Sequence, residues 1–244
     1  MDMIETRDLC KNYKDVAAVD HLNLTIREGE LFALLGVNGA GKTTTIKMLT
    51  CLTKPTSGDA TVGGYSIAKE PEKVKPHIDV SMQETAVARH LTVAENIAFY
   101  AALDGQNKAE IEATKARLFE AFELDRVKDK RADKLSGGWQ RKLSIALALV
   151  SRPRVLFLDE PTLGLDVIAR RELWRTIRAL HGHMTIVLTT HYMEEAEALA
   201  DRIGMMKDGK LLFVGTKEEL FAATGKTSVE EAFIAVVSGG ESDD

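Results

Sequence analysis

A glycine-rich segment between residues 36 and 43 carries the clearest chemistry in the sequence. It reads Gly36-Val37-Asn38-Gly39-Ala40-Gly41-Lys42-Thr43 and matches the pattern G-x-x-x-x-G-K-[ST] at every fixed position. Its glycines let successive backbone N–H groups point at a phosphate, the lysine reaches the terminal phosphates and the threonine hydroxyl binds Mg²⁺. The segment lies between a predicted strand and a predicted helix, as this motif requires. We therefore predict that residues 36–44, ending at Thr44, hold the phosphates of a nucleotide.

Two adjacent carboxylates end an apolar run further along the chain. Val155-Leu156-Phe157-Leu158 reads as a buried strand, and Asp159-Glu160 follows it directly. Side chains alternate along a strand, so the two carboxylates should have different tasks. Beside a phosphate loop, Asp159 is placed to hold Mg²⁺, while Glu160 is placed to orient a water for attack on the terminal phosphate.

A second glycine-rich segment, Leu135-Ser136-Gly137-Gly138, begins a predicted helix. The free N–H groups and the dipole at a helix N-terminus favour an anion, so Ser136, Gly137 and Gly138 form a second candidate anion site. One nucleotide needs only one such loop, which raises the question of whose nucleotide the second one holds. Trp139 follows, and we interpret it first as a packing residue. It shares one helical stripe with Leu143, Ala146, Leu147 and Val150.

Composition limits the function classes that these residues can serve. The chain has 244 residues, of which 45% are hydrophobic, and a net charge of −5, which disfavours a broad nucleic-acid-binding face. Its two cysteines, Cys10 and Cys51, indicate free thiols in a reducing cytosol rather than a disulfide framework. The sequence shows neither a signal peptide at its start nor an apolar run of membrane-spanning length. We expect a soluble chain whose membrane role, if it has one, comes through a partner.

The elements that must position these groups alternate between strands and helices. Continuous apolar runs over residues 31–35, 155–158 and 185–188 indicate strands that are buried on both faces. Helical patterns separate them, over residues 43–52, 139–150 and 168–180. This alternation predicts an α/β fold with a mostly parallel sheet.

The remaining segments add three features to that core. Leu22, Leu24 and Ile26 alternate with polar residues, which predicts a half-buried antiparallel strand near the N-terminus. Residues 85–150 are helical in pattern, and we interpret them as a helical subdomain inserted in the α/β core. Asp208-Gly209 between apolar runs predicts a hairpin.

The C-terminal part closes with short helices and a tail. Capping boxes are expected at Thr216 with Glu219 and at Ser228 with Glu231. We expect residues 1–237 to form a single domain and residues 238–244 to be a disordered acidic tail.

Taken together, the phosphate loop, Asp159-Glu160 and Leu135-Ser136-Gly137-Gly138 resemble the nucleotide-binding subunit of ATP-binding cassette (ABC) transporters, from about Ile4 to Val237. The resemblance implies a P-loop NTPase core with a helical signature subdomain, and ATP and Mg²⁺ as cofactors. It also implies a head-to-tail dimer, with a second copy or a homologous ATPase, in which Ser136 and the glycines contact ATP held by the other chain. Trp139 departs from the family's LSGGQ pattern, where glutamine is commonest.

Other positions match the family residue by residue. Tyr13 corresponds to an aromatic ring that stacks on adenine, with Val19 as an apolar wall nearby. Gln83 corresponds to the glutamine that contacts Mg²⁺ and the attacking water. Asp166 corresponds to an interface aspartate, and His191 to the histidine that hydrogen-bonds the γ-phosphate. Glu160, His191 and Gln83 are therefore the expected catalytic residues, and Thr43, Gln83 and Asp159 the expected metal ligands.

Three less specific segments resemble the branch that works with ABC-2 type drug-export permeases. They are residues 189–197, residues 229–233, and residues 83–85 followed by 91–96. This resemblance implies an ATPase at the inner face of the cell membrane, bound through a permease that contacts residues 83–93. We expect no nucleic-acid partner.

A soluble ABC ATPase of cofactor assembly or cell division remains the alternative. A DNA-maintenance ATPase would carry a long coiled-coil insertion, and a translation factor usually carries two cassettes. A non-catalytic regulator should lack Glu160 or His191, and both are present.

Overall fold

The computed structural model describes residues 1–239, in which two β-sheets of different character form the framework. The first sheet is antiparallel and has the strand order β2-β1-β4-β5. Its strands are β1 (Asp2–Tyr13), β2 (Val16–Arg27), β4 (Ser57–Val62) and β5 (Tyr65–Ser66). Leu22, Leu24 and Ile26 of β2 are buried while their neighbours are exposed, which confirms the predicted antiparallel strand.

The second sheet has six strands in the order β10-β9-β3-β8-β7-β6. They are β3 (Leu31–Gly36), β6 (Ile78–Ser81), β7 (Val155–Asp159), β8 (Thr185–Thr190), β9 (Arg202–Lys207) and β10 (Lys210–Gly215). All neighbours pair in parallel except β9 and β10, which form the predicted hairpin with Asp208 and Gly209 at φ 48° and 79°. The predicted α/β fold with a mostly parallel sheet is confirmed.

Helices connect these strands and cover the six-stranded sheet. They are α1 (Lys42–Leu49), α2 (Pro71–Val74), α3 (Val93–Leu103), α4 (Lys108–Phe122), α5 (Gly137–Ala148), α6 (Val167–Leu180), α7 (Met193–Leu199), α8 (Lys217–Thr224) and α9 (Val229–Val237), with short 3₁₀ turns at Lys75–His77, Leu124–Val127 and Ala132–Lys134. None of the helices within residues 1–239 combines the length and the hydropathy that crossing a bilayer requires.

The buried strand β3 shows why its sequence is continuously apolar. Leu31, Ala33 and Leu35 face one hydrophobic cluster, which contains the packing faces of α3 to α9. Phe32 and Leu34 face the opposite cluster, which contains α1 and the antiparallel sheet. Because both faces of the strand are covered, every residue of β3 is buried.

Two helix boundaries differ from the sequence predictions. Helix α1 ends at Leu49 rather than residue 52, since the Thr50 hydroxyl donates to the Ile46 carbonyl at 2.8 Å and Cys51 takes a left-handed φ of 58°. The helical region starts at residue 93 rather than 85, because residues 82–92 form a loop.

Of the two capping boxes, that of Thr216 is complete, whereas at Ser228 only the bond from the Glu231 N–H is present. The single domain over residues 1–237 stays a prediction, and the predicted tail lies outside the described residues from position 240 onward.

Candidate functional site

The carboxyl ends of three neighbouring parallel strands meet at one edge of the six-stranded sheet. β3 leads into the phosphate loop, β7 ends in Asp159 and β8 leads to His191. A cavity of about 400 Å³ lies at this edge. It is lined by Ala18, Asn38, Gly39, Ala40, Gly41, Lys42, Thr43, Thr44, Gln83, Glu160, Leu163 and His191. The fold thus brings most of the predicted phosphate-loop residues together with the three predicted catalytic side chains.

The phosphate loop encloses its own lysine. Gly41 precedes α1 with a φ of 104°, a conformation that favours glycine, and α1 begins at Lys42. The buried Lys42 ammonium donates to the Gly36 carbonyl at 2.7 Å and to the Val37 carbonyl at 3.1 Å. Burial lowers the pKa of Lys42, and Glu160, whose Oε1 lies 3.5 Å from Nζ, opposes that shift. A phosphate in the loop would therefore meet a desolvated cation, for which Coulomb attraction is strong.

The Asp159 carboxylate is fully buried, and only one of its oxygens is satisfied. Oδ1 accepts from the Thr43 hydroxyl at 3.1 Å and from the Thr189 hydroxyl at 2.6 Å. Oδ2 finds no hydrogen-bond partner within the described part of the chain. A carboxylate and a hydroxyl oxygen are ligands that Mg²⁺ prefers, and a buried acceptor without a partner is costly. The residues present therefore fit the implied metal ion.

Glu160 occupies a strained turn at the end of β7. Its φ of 45° is uncommon for a residue with a side chain, and such a conformation costs on the order of 1–3 kcal/mol. The Glu160 N–H donates to the carbonyl and the hydroxyl of Thr189, each at 3.1 Å, and this holds the turn. Glu160 Oε1 also lies 3.3 Å from His191 Nδ1, which makes no well-aligned hydrogen bond among residues 1–239. The turn thus brings a carboxylate, an ammonium and an imidazole to one point of the cavity.

Sequence reasoning missed Arg141, which lies behind this site on α5. Its guanidinium is buried and donates to five backbone carbonyls at distances from 2.5 to 3.2 Å. The acceptors are Met82, Gln83, Asp159, Glu160 and Pro161. The only sequence signal is a basic residue on a helix whose neighbours Leu143 and Ile145 are apolar, and the pattern alone does not reveal its acceptors.

The two predicted adenine contacts, Tyr13 and Val19, do not line the cavity that the phosphate loop lines. Val19 as an apolar wall is wrong, because its side chain is fully buried in the core. Its neighbour Ala18 lines the cavity instead, since adjacent residues of β2 face opposite sides. Tyr13 is about half exposed at the end of β1 and lies outside the lining of the cavity. The Lys11 ammonium lies 5.1 Å from the centre of the Tyr13 ring.

The second glycine-rich segment lies at a different place. Ser136 is the N-cap residue of α5, and its side chain makes no capping hydrogen bond. It borders a small cavity of about 40 Å³, together with Gly138, Trp139, Lys142, Ala169 and Glu172. Within residues 1–239, this cavity and the larger one have no lining residue in common. The structure therefore does not bring Ser136, Gly137 and Gly138 to the phosphate loop of the same chain.

Trp139 and Asp166 both have local structural roles. Trp139 is partly buried against the core, and the Lys142 ammonium lies 4.8 Å from the centre of its ring. Asp166 is the N-cap of α6, where Oδ1 accepts from the N–H groups of Ile168 and Ala169, each at 2.9 Å. A role of Asp166 between chains stays a prediction.

A cluster of possible metal ligands on β1 and β2 is explained by its internal contacts. One ligand atom from each of Cys10, Asp20 and His21 lies within 4.8 Å of the others. Cys10 Sγ accepts from the His21 N–H at 3.2 Å and donates to the Asp8 carbonyl at 3.4 Å. His21 Nδ1 lies 2.6 Å from Asp20 Oδ1. These contacts account for the arrangement without an ion.

Comparisons with known proteins agree with this geometry. A protein-family model described as ABC transporter matches residues 19–163. The chain is 38% identical over 242 residues to the probable multidrug ABC transporter ATP-binding protein YbhF of Escherichia coli (strain K12), covering 96% of this chain and 42% of YbhF. It is 41% identical over 223 residues to the daunorubicin/doxorubicin resistance ATP-binding protein DrrA of Streptomyces peucetius, covering 91% of this chain and 68% of DrrA. The chain thus spans less than half the length of YbhF.

One similar solved structure contains a bound nucleotide. The fold superposes with a TM-score of 0.78 on the ATP-binding cassette MJ0796, a dimeric post-hydrolysis structure bound to ADP and Pi. The two chains are 26% identical, and the match covers 88% of this chain and 98% of that one. The family match spans more than half of this chain. DrrA is 41% identical in sequence, over 68% of its own length. The chain belongs to the ABC transporter family, as an ATP-binding subunit with the ATPase fold.

Proposed function

We propose that this chain is the ATP-hydrolysing subunit of an ABC-2 type exporter and drives a separate membrane permease. The observation that carries the catalytic part is the convergence of Lys42, Glu160 and His191 on one cavity beside the unpartnered Asp159 Oδ2. The relatives' names, which refer to multidrug transport and drug resistance, favour export over a soluble role in cofactor assembly or cell division.

In this proposal each side chain at the cavity has a separate task. Lys42 and the N–H groups of residues 38–44 bind the phosphates, and Thr43 and Asp159 would hold Mg²⁺. When bound, that ion neutralises charge that develops on the phosphoryl oxygens. Glu160 orients the attacking water and accepts its proton, while His191 donates to the γ-phosphate. Gln83 lines the cavity from the opposite loop and completes the water site.

Two chains are needed to complete each site. Ser136 and the two glycine N–H groups are an anion site without a phosphate loop beside it in the same chain. A head-to-tail dimer brings each Ser136 segment onto the nucleotide held by the other chain's Lys42. The dimeric ADP-bound and phosphate-bound state of MJ0796 supports such an assembly.

The permease contact is proposed for residues 83–93, which cover most of the loop of residues 82–92 and the first residue of α3. Gln83 at its start faces the cavity, and Thr92 at its end is the N-cap of α3. A permease helix that seats on this loop would sense the nucleotide through Gln83 and hold the subunit at the inner face of the cell membrane.

A Glu160→Gln variant tests the catalytic assignment. The amide preserves size but cannot accept the proton, so we expect turnover to fall by about 100-fold or more and ATP to trap a stable dimer. Phosphate release and light scattering measure the two effects. Glu160→Gln combined with Lys42→Ala is the matched control, and it should stay monomeric because ATP no longer binds. Normal turnover together with a monomer in the Glu160→Gln protein would remove Glu160 from this role.

A further inference from the structure

Arg141 connects three segments that the proposed reaction needs. It lies on α5, the helix that begins directly after Ser136, and only 4% of its surface is exposed. Its NH1 group donates to the carbonyls of Met82 and Gln83, which begin the loop of residues 82–92. Its NH2 group donates to the carbonyls of Asp159 and Glu160 at 2.8 and 2.9 Å.

The fifth bond extends this connection into the segment after Glu160. Arg141 Nε donates to the Pro161 carbonyl at 2.7 Å. The guanidinium therefore supports both sides of the strained turn at Glu160, whose φ is 45°. Strained backbone persists only where surrounding contacts over-determine it, and this fork supplies three of those contacts. Burial lowers the pKa of Arg141 to about 10, so the group remains a cation at neutral pH.

A second anchor holds the far end of the same loop. The fully buried Asn96 accepts from the Ala88 N–H at 2.8 Å and donates to the carbonyls of Ala88, Leu91 and Thr92 at 2.9 to 3.2 Å. The loop of residues 82–92 is thus held by Arg141 at its start and by Asn96 at its end. Displacement of Met82 or Gln83 would change the hydrogen bonds of Arg141.

We propose that Arg141 is a positioning residue for ATP hydrolysis, which ties the helix of the Ser136 anion site to both Gln83 and Glu160. This inference rests on the proposed function of the cavity. When Ser136 engages a nucleotide, or a permease seats on the loop, movement of either element reaches the water-orienting side chains through one guanidinium. The carbonyls that it joins belong to segments 59 and 18 residues away in the sequence.

Lysine cannot replace this arginine. A guanidinium offers five N–H donors in a rigid planar fork, whereas an ammonium is a single point with three donors. Arg141→Lys preserves the charge and loses the simultaneous contact with two segments, residues 82–83 and residues 159–161. The matched control is Arg117→Lys on α4, because Arg117 is partly buried and, among the described residues, donates one bond, to the Leu149 carbonyl at 2.8 Å.

The test separates positioning from stability and from nucleotide binding. We expect Arg141→Lys to lower kcat at least tenfold, which is about 1.4 kcal/mol, while KM for ATP stays within about threefold because the phosphate loop is untouched. In the double variant with Gln83→Ala, the loss in kcat should be less than the product of the two single losses. The reason is that Arg141 acts partly by positioning Gln83, so its loss matters less once the Gln83 side chain is gone. Arg117→Lys should leave kcat unchanged.

Hydrogen exchange gives a readout that needs no activity. In Arg141→Lys, amides of residues 83–88 and 160–163 should exchange faster than in the wild type, and Arg117→Lys should leave these segments unchanged. A wild type without ATPase activity would refute the proposed function, while the exchange pattern would still decide the role of Arg141. Unchanged kcat and exchange would overturn the inference. So would a general loss of melting temperature in which ATP binding and turnover decline together, in Arg141→Lys and in the second variant Arg141→Gln alike.

Discussion

At the scale of single residues, the cavity edge contains buried charges that balance without a nucleotide. Lys42 and Arg141 supply two cations, and Asp159 and Glu160 supply two carboxylates. Breaking one member of such a set leaves an uncompensated buried charge, which costs on the order of 3–5 kcal/mol. Charge-removing variants at these positions therefore need a stability measurement beside the activity measurement.

Asp79 on the edge strand β6 gives the protein a pH dependence away from the site. Burial raises the pKa of Asp79 to about 6, a hydrogen bond from the Val80 N–H at 2.7 Å opposes the shift, and Asp104 adds repulsion. Because the folded-state pKa lies above the unfolded value, the stability that this group contributes is present near pH 4 and is lost as pH rises through about 6. Asp79→Asn keeps an acceptor for Val80 and removes the titration.

The unfolding free energy of Asp79→Asn should rise relative to that of the wild type as the pH increases. We expect the difference between the two proteins to be about 1–2 kcal/mol more favourable to Asp79→Asn at about pH 7.5 than at about pH 4.5. Urea denaturation at the two pH values measures this difference. Asp129→Asn, at an exposed aspartate that does not contribute to the Asp79 shift, controls for the loss of one negative charge. An equal gain at both pH values would contradict the assignment to Asp79.

At the scale of elements, the sequence was informative where burial and pattern coincide. The strands β3, β7 and β8 were predictable because a strand covered on both faces has a continuous apolar sequence. The phosphate loop was predictable because its chemistry is local. Val19 was misassigned because the face that a residue of β2 presents depends on register, which bulges shift. The sequence does not predict the contacts of Arg141, because its acceptors lie far away in the sequence. They are backbone carbonyls, which every residue type has.

Asn96 tests how much one side chain stabilises an irregular element. The Asn96 amide makes four hydrogen bonds to the backbone of residues 88–92, and it is fully buried. We expect Asn96→Ala to lower the unfolding free energy by about 3 kcal/mol, because buried backbone groups lose their partners. Asn107→Ala removes only the N-cap of α4 and should cost about 1 kcal/mol. If urea denaturation shows equal losses of unfolding free energy for the two variants, the backbone groups of residues 88–92 find other hydrogen-bond partners when Asn96 is removed.

At the scale of the whole molecule, an apolar edge adjoins the cavity that Ser136 borders. Val167 and Ile168 at the start of α6 are 63% and 72% exposed. The neighbouring Ala169 borders the Ser136 cavity, and a Cβ on Gly138 would lie 3.0 Å from the Ala169 side chain. Single exposed apolar residues are ordinary, but these two lie next to the segment that we propose to contact another chain.

Ile168→Glu therefore tests the assembly without touching the phosphate loop. In the Glu160→Gln background, we expect the added charge to prevent the ATP-trapped dimer, since an unpaired carboxylate buried between two chains is unfavourable. ATP affinity of the monomer, measured by calorimetry, should stay within about threefold of the parent because every lining residue of the larger cavity is retained. Ile234→Glu is the matched control, at a 54% exposed isoleucine on α9, and should still form the dimer. If both glutamate variants dimerise with ATP, the start of α6 lies outside the interface. The proposed head-to-tail dimer, in which Ser136 contacts the other chain's nucleotide, would then be wrong.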